Sequence, residues 1–587
     1  MIKNCLLALL STMAFCLLNS LSFANVTVTL LAFIILFFFY QNVKAETDRY
    51  SELCALVLAL FLGFGKFLVF LAETGGYLLW VKVLFSVAGS FLFFRRAIAA
   101  AFGWLMNFKV QKTAFSSKLF IISFLIIFVC WLPYWFTHYP GNYPPDTINQ
   151  LYQNFGIYSY SNANPLLHTL LIKASYNFFA LFTTDINQIM AFSGLLQMVI
   201  NAAIYALVVT YVYSESGNKI MAAATIAFYG LLSYNAVYNT SVSKDAMFTS
   251  ITVLLLLMIV KWYKKPSLLN SIILTLSGIA YCLLRANGYY ALAIVIVCAL
   301  LVGCYKYQRK LLNVLLVIFT LASLIRYPVY TLYLNKANGR SLLVVEAEEP
   351  LSEEAEEPII YKHYFRGSFL YVMAFQQVAN VVYHERELNE KEEWLIEEHA
   401  PLEVIREVYN PILVDPLFEW VTYYTTPERQ NISNVEYLKL WLELFIKYPN
   451  DYFEAYFNMT RYYFYPNRYV KPYYEGIYNN ELGIHEESLT SIETKEMLDT
   501  FYNNQAKIPF VSSLLCPGVT TCLMMAALIF VLKAKKRVSF VALSFLFANF
   551  FILMACVPLN DEFRYIYPIV GALPFILMQF LTADQEG

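Results

Sequence analysis

The stretch Thr137 to Leu151, THYPGNYPPDTINQL, holds a single carboxylate, Asp146, among three prolines and a glycine. Pro144 and Pro145 fix their own φ and push the residues before them toward extended backbone, while Gly141 permits a tight turn. An acid held in this way at the start of DTINQLYQNF can cap a short helix. It can also serve as a general base, or as a ligand for a hydroxyl or a metal, since a base needs a fixed position more than a shifted pKa. Three cations sit in comparable places. Lys244 opens an apolar run in SVSKDAMF, Arg285 closes one in YCLLRANGYY, and Arg564 opens another in PLNDEFRYIYP. Cations from three helices at one depth suit a phosphate or diphosphate, and helix N-termini after Asp245 and Asn287 favour an anion further. The plainer alternative is interfacial snorkelling, or pairing with Asp245, Asp561 and Glu562. In SNANPLLHTLL, Pro165 suits the first turn of a helix capped by Asn164, which would aim His168 back at the same place.

The elements that must position these groups are membrane-length apolar runs. The chain has 587 residues, of which 59% are hydrophobic and 14% charged. A helix needs about 20 mostly apolar residues to cross the hydrocarbon. Fourteen runs qualify, near 5–21, 26–42, 53–72, 77–94, 118–137, 188–213, 219–239, 246–263, 268–285, 288–305, 310–333, 511–532, 538–557 and 564–582. Backbone groups in lipid must be satisfied internally, so the expected fold class is an all-α integral membrane protein. The first run resembles a signal peptide, but a second follows at once without a convincing cleavage pattern, so it is read as retained.

Lys and Arg in the short loops orient the spans. With the N-terminus in the cytoplasm, the inner loops carry the clusters Arg95, Arg96, Lys109, Lys112, Lys118 and Lys533, Lys535, Lys536, Arg537. The short outer loops carry Lys173, Lys244, Arg285 and Arg564. This expectation puts both termini in the cytoplasm and every polar motif outside. The four outer cations depart from the bias, and ionisable groups near membrane depth are functional candidates by default.

Four regions follow. Residues 1–117 form four spans and the basic amphipathic segment RRAIAAAFGWLMNFKVQK, read as an inner-surface linker. Residues 118–333 form a transmembrane core with an outer loop at 138–187, in which 165–183 is an interfacial helix. Residues 334–510 are read as an extracytoplasmic soluble domain, mostly helical and tyrosine-rich, with a solvated glutamate-rich insert at 346–358. Residues 511–587 supply the last three spans. A net charge of −1 suggests no nucleic-acid partner. The ten cysteines lie in or at the ends of apolar runs, which argues against a disulfide framework or a cysteine metal site.

Taken together, one acid in the first large outer loop, basic residues at the outer surface and a late outer domain resemble GT-C-type glycosyltransferases. These are integral membrane enzymes that take sugars from polyprenyl-phosphate carriers. More closely, residues 118–583 resemble a family of bacterial polytopic membrane proteins without a settled activity. The shared marks are Tyr139–Gly141, Pro145–Thr147 with Gln150, Asn162–His168, Lys244–Asp245, Arg285–Gly288 and Arg564–Pro568. Thr147 stands where the family pattern has serine, and NANP replaces NHHP, which removes a histidine and weakens a metal proposal there. The resemblance implies transfer of a sugar from a polyprenyl-phosphate carrier to an extracytoplasmic glycan, lipid or protein acceptor in the cell envelope. Asp146 would be the general base. Arg285, Arg564, Lys244, His168 and Asn287 would bind the carrier phosphate and substrate, supported by Asn164, Gln150, Asp245 and Tyr565. No cofactor or metal ligand is assigned, and a divalent cation stays open. The alternatives are a transporter or flippase for a lipid-linked glycan, or a non-catalytic envelope-assembly protein; clear internal repeats, which transporters often show, are not visible.

Overall fold

The computed structural model describes residues 1–22, 24–74, 76–108, 110–162, 164–303, 309–339, 372–398, 400–417, 420, 434–466, 476–556 and 562–581. The glutamate-rich insert at 346–358 and Asp561 lie outside the described residues. Among those described the chain is helical throughout, with isolated bridges Asn142–Ser241 and Tyr143–Ile477 in place of strands.

Seven helices are long and apolar enough to cross a membrane: Gly76–Asn107, Ser117–Thr137, Ile186–Ser216, Lys244–Lys264, Arg309–Ala337, Arg537–Cys556 and Phe563–Leu581. Two bent pairs bring the number to nine, namely Arg49–Gly65 with Phe67–Thr74 at 42° and Lys219–Leu231 with Ser233–Asn239 at 56°. Ile2–Leu18, Val26–Asn42, Leu268–Leu284, Ala286–Leu301 and Pro517–Lys533 are shorter apolar helices. Each apolar run read from the sequence therefore coincides with a helix or a bent pair, and the finding is a helical, multi-pass type of chain.

Two local departures have physical causes. The span near 77–94 and the basic linker after it, as far as Asn107, are one continuous helix, Gly76–Asn107. No proline or glycine pair interrupts it, and Ala97, Ala99, Ala100 and Ala101 favour propagation. The run 219–239 breaks at Leu232, whose extended backbone separates its two helices. The groups freed there are satisfied from elsewhere. Gln505 Oε1 accepts from Ser233 N at 3.0 Å, and Gln505 Nε2 donates to Leu231 O at 2.8 Å. A broken apolar helix needs such partners because water cannot supply them in lipid.

The first four apolar elements pack mainly on one another. Close approach there depends on small residues; a Cβ on Gly89 would lie 2.4 Å from Leu10 O. The region after 371 divides between two cores. Helices Val372–Tyr383, Leu402–Val408 and Asn434–Lys447 bury Ala374, Val381, Ile405 and Leu440 in a core of their own. Helix Pro449–Phe464 bridges the two, since Tyr452 belongs to that core and Phe457, Tyr463 and Phe464 to the main one.

Candidate functional site

Asp146 does not cap its helix. Pro144 is the N-cap of Pro145–Asn154, without a side-chain cap bond, and Asp146 lies one residue inside the first turn. The loop before it is clamped on two flanks. Tyr143 N donates to Gly476 O and Tyr478 N to Tyr143 O, at 3.1 and 2.9 Å. On the other flank Val242 N and Ser241 Oγ donate to Asn142 O, at 3.2 and 3.0 Å. Thr147 Oγ1 donates to Val242 O at 2.6 Å. Gly141 has φ +124, and a Cβ there would meet Thr240 O at 2.6 Å. Glycine is thus required both by the backbone conformation and by the space.

The Asp146 carboxylate receives two cations from distant helices. Lys244 Nζ lies 3.0 Å and Arg564 Nη1 3.1 Å from its Oδ2. Lys244 is the first residue of helix Lys244–Lys264, capped by Ser243, whose hydroxyl accepts from Asp245 N. A cation at a helix N-terminus opposes the helix dipole, and Asp146 and Asn164 offset that. Lys244 Nζ also donates to Asn164 Oδ1 at 2.7 Å. This hydrogen bond, rather than capping, is the role of Asn164, because Pro165 is the N-cap of helix Leu166–Phe179.

Arg285 approaches the same place by a different contact. It is an extended residue between helices Leu268–Leu284 and Ala286–Leu301, with φ −146 and ψ 142. Its Nη1 pairs with Asp245 Oδ1 at 3.0 Å, and the two side chains are only 11% and 5% exposed. The guanidinium carbons of Arg285 and Arg564 both lie over the Tyr565 ring, at 4.7 and 5.2 Å from its centre. Tyr565 therefore joins the two arginines through its π face. Arg564 Nε pairs with Glu562 at 2.9 Å.

His168 and Gln150 form an adjoining buried pair. His168 Nδ1 lies 2.8 Å from Gln150 Oε1, and Gln150 Nε2 donates to Thr169 Oγ1 at 3.0 Å. An amide oxygen only accepts, so this arrangement puts the imidazole proton on Nδ1 and leaves Nε2 as an acceptor. Burial, reinforced by the Lys244 charge and opposed by Asp146, holds the His168 pKa down at about 3. Neutral His168 offers a lone pair rather than a positive charge. Asn287 is half-buried in the first turn of helix Ala286–Leu301, and no hydrogen bond from it to this group occurs among the described residues.

The electrostatics of Asp146 are a contest. Burial raises its pKa, but the charges of Lys244, Arg564 and Arg285 and the Lys244 hydrogen bond outweigh burial and bring it to about 2. Two further acids share the field. Burial, together with the negative charge of Asp146, raises Asp415, and Arg564 opposes the rise. Burial likewise raises Glu562 against the opposing charge of Arg564, with Asp245, Asp415 and Asp146 adding to the rise. Asp415 comes from the region after residue 371, and its only signal in the sequence is the proline-flanked stretch NPILVDPLF. Val372, Met373, Val414 and Met459 pack with Tyr456 and Tyr565 beside this group. Among the described residues, the acids around Asp146 do not form a trio of donors close enough to share one ion.

The arrangement can exchange anions. Asp146 occupies two cations that a phosphate would also take, and its side chain is 32% exposed against 12% for Lys244. No family model matches this chain, and no curated protein or solved structure is significantly similar to it.

Proposed function

We propose that this protein is a multi-pass membrane enzyme that transfers a sugar from a polyprenyl-phosphate carrier to an extracytoplasmic acceptor. The carrying observation is the convergence of Asp146, Lys244, Arg285 and Arg564 from four separate elements at one end of the helices. In this reading all fourteen apolar elements cross the membrane, both termini are cytoplasmic, and the Asp146 end faces outward, as the Lys and Arg distribution favours.

The residues divide the work by their chemistry. The carrier phosphate competes with Asp146 for Lys244 and Arg564, while Arg285 is held ready by Asp245 and Tyr565. Once those cations turn to the phosphate, less positive charge bears on Asp146 and its basicity rises. The acceptor hydroxyl then gives its proton to Asp146, and its oxygen forms the new bond to the anomeric carbon with inversion. The bond from that carbon to the phosphate oxygen breaks, and the phosphate leaves with the electron pair against the arginines. His168 Nε2, as an acceptor, suits orientation of a sugar hydroxyl better than contact with phosphate. Asn164 and Gln150 hold Lys244 and His168 in place.

Proteoliposomes supplied with a polyprenyl-phosphate sugar and a water-soluble glycan acceptor test the proposal. Formation of the glycosylated acceptor is the expected result. Movement of the intact carrier lipid across the bilayer without sugar transfer, or neither event, would overturn it.

A further inference from the structure

Away from Asp146, helix Val372–Tyr383 and helix Pro449–Phe464 meet at a second polar cluster. His384 follows the first helix, and Asp451 and Glu454 lie one turn apart on the second. One donor atom from each of these three residues lies within 4.8 Å of the others. His384 Nε2 is 2.9 Å from Glu454 Oε2. Arg386 binds the Asp451 carboxylate in a fork, Nε to Oδ2 at 2.7 Å and Nη2 to Oδ1 at 2.9 Å. Asn380 Nδ2 donates to Asp451 O at 2.7 Å and reaches Glu454 Oε2 at 3.5 Å.

Ion pairs alone would account for those contacts. They do not account for Tyr409. Its ring lies 5.0 Å from that of Tyr383, the residue is 93% buried, and its hydroxyl has no hydrogen-bond partner among the described residues. The same hydroxyl lies in the field of Glu454 and Asp451; burial, followed by Glu454, Tyr383 and Asp451, pushes its pKa up. A buried hydroxyl left unpaired costs about 1–3 kcal/mol. A buried, unpaired hydroxyl in the field of two carboxylates has the surroundings of a ligand or a ligand-bound water.

We infer that His384, Asp451, Glu454 and Tyr409 form a binding site for a first-row divalent cation such as zinc or manganese. The donor set of one imidazole, two carboxylates and a phenol suits these ions better than calcium, which takes oxygen alone. Each carboxylate oxygen has more than one lone pair, so Asp451 keeps its fork with Arg386 while binding the ion. Arg386 and Asn380 then become the outer hydrogen bonds that orient ligands. His384 and Glu454 are 32% and 24% exposed, which leaves a route in for the ion. The ion would fasten two helices whose other residues, Met373 and Met459, pack beside Tyr565.

The full chain, purified in detergent and stripped with a chelator, should bind one equivalent of Zn²⁺ or Mn²⁺ with a rise in thermal midpoint. H384A and E454Q should each weaken that equivalent by more than the roughly 10–100-fold typical of an outer contact. R386A breaks the fork without removing a ligand, so it should keep the equivalent. Identical titrations for the unaltered chain, H384A and E454Q would overturn the site, as would the absence of any saturable equivalent. Either result would leave only ion pairs. Sugar transfer is not the readout, so this test stands or falls separately from the proposed activity.

Discussion

Arg564 Nη1 donates to Asp146 Oδ2 across 3.1 Å, although 418 residues separate them in the chain. The contact joins the first turn of a short loop helix to the start of the last apolar element. Lys244 completes the same carboxylate from a third helix. Any account of this end of the molecule must explain why an acid and two cations are held together where the helices stop.

Arg285 and Asp245 should matter most for stability. Both are nearly buried, so R285M would leave an uncompensated carboxylate at a cost of about 3–5 kcal/mol. Unfolding in detergent should show a large fall in midpoint for R285M and a substantial recovery in R285M/D245N. K244M should cost less, because Asp146 is more exposed and keeps Arg564.

Acid should weaken the fold in two windows. His168 has its pKa depressed from 6.5 to about 3, so the unfolded chain binds the proton more readily. Stability should fall below about pH 6.5, with a limiting slope of about 1.4 kcal/mol per pH unit from this group. H168Q should flatten thermal midpoints measured between pH 7.5 and 5. Asp146 is depressed from 3.8 to about 2, so its contribution is full above pH 3.8 and is lost as pH falls toward 2. D146N should remove that lower window, while the upper one still opens below about pH 6.5 and deepens, because Asp146 no longer opposes the His168 shift.

Gly141 should be sensitive out of proportion to its size. G141A forces an L side chain to φ +124 and against Thr240 O, at a cost of about 1–3 kcal/mol. The strain falls on the loop that carries Asp146. Sugar transfer should therefore drop more steeply than the thermal midpoint, as comparison of the two measurements on one preparation would show.

The apolar runs were legible because the demand for internally bonded backbone writes itself into about 20 consecutive residues. Lys244, Arg285 and Arg564 were legible as one group because each ends an apolar run, and the alternation of loops puts those ends together. Their partners were not legible. Nothing local says that Arg285 prefers Asp245 while Arg564 takes Asp146, since such choices depend on helix rotation and distance in the folded chain. The capping open to Asp146 and expected of Asn164 gave way to contacts with Lys244, a tertiary interaction outweighing a local preference. The break at Leu232 depends on Gln505, over 270 residues away, and has no local signature. Asp415 and the Asp451–Glu454 pair carry no mark in the sequence that sets them apart from other acids, and only the fold brings other groups to them.

The central claim is that Asp146 holds the cations until a carrier phosphate takes them, and then accepts the proton. The most direct measurement is single-turnover sugar transfer by D146N, with carrier binding followed on the same samples. Transfer should fall by about 10²–10⁴-fold, while the polyprenyl-phosphate sugar binds more tightly because its competitor for Lys244 and Arg564 is neutral. Transfer at the rate of the unaltered protein would contradict the account, and so would loss of carrier binding together with transfer.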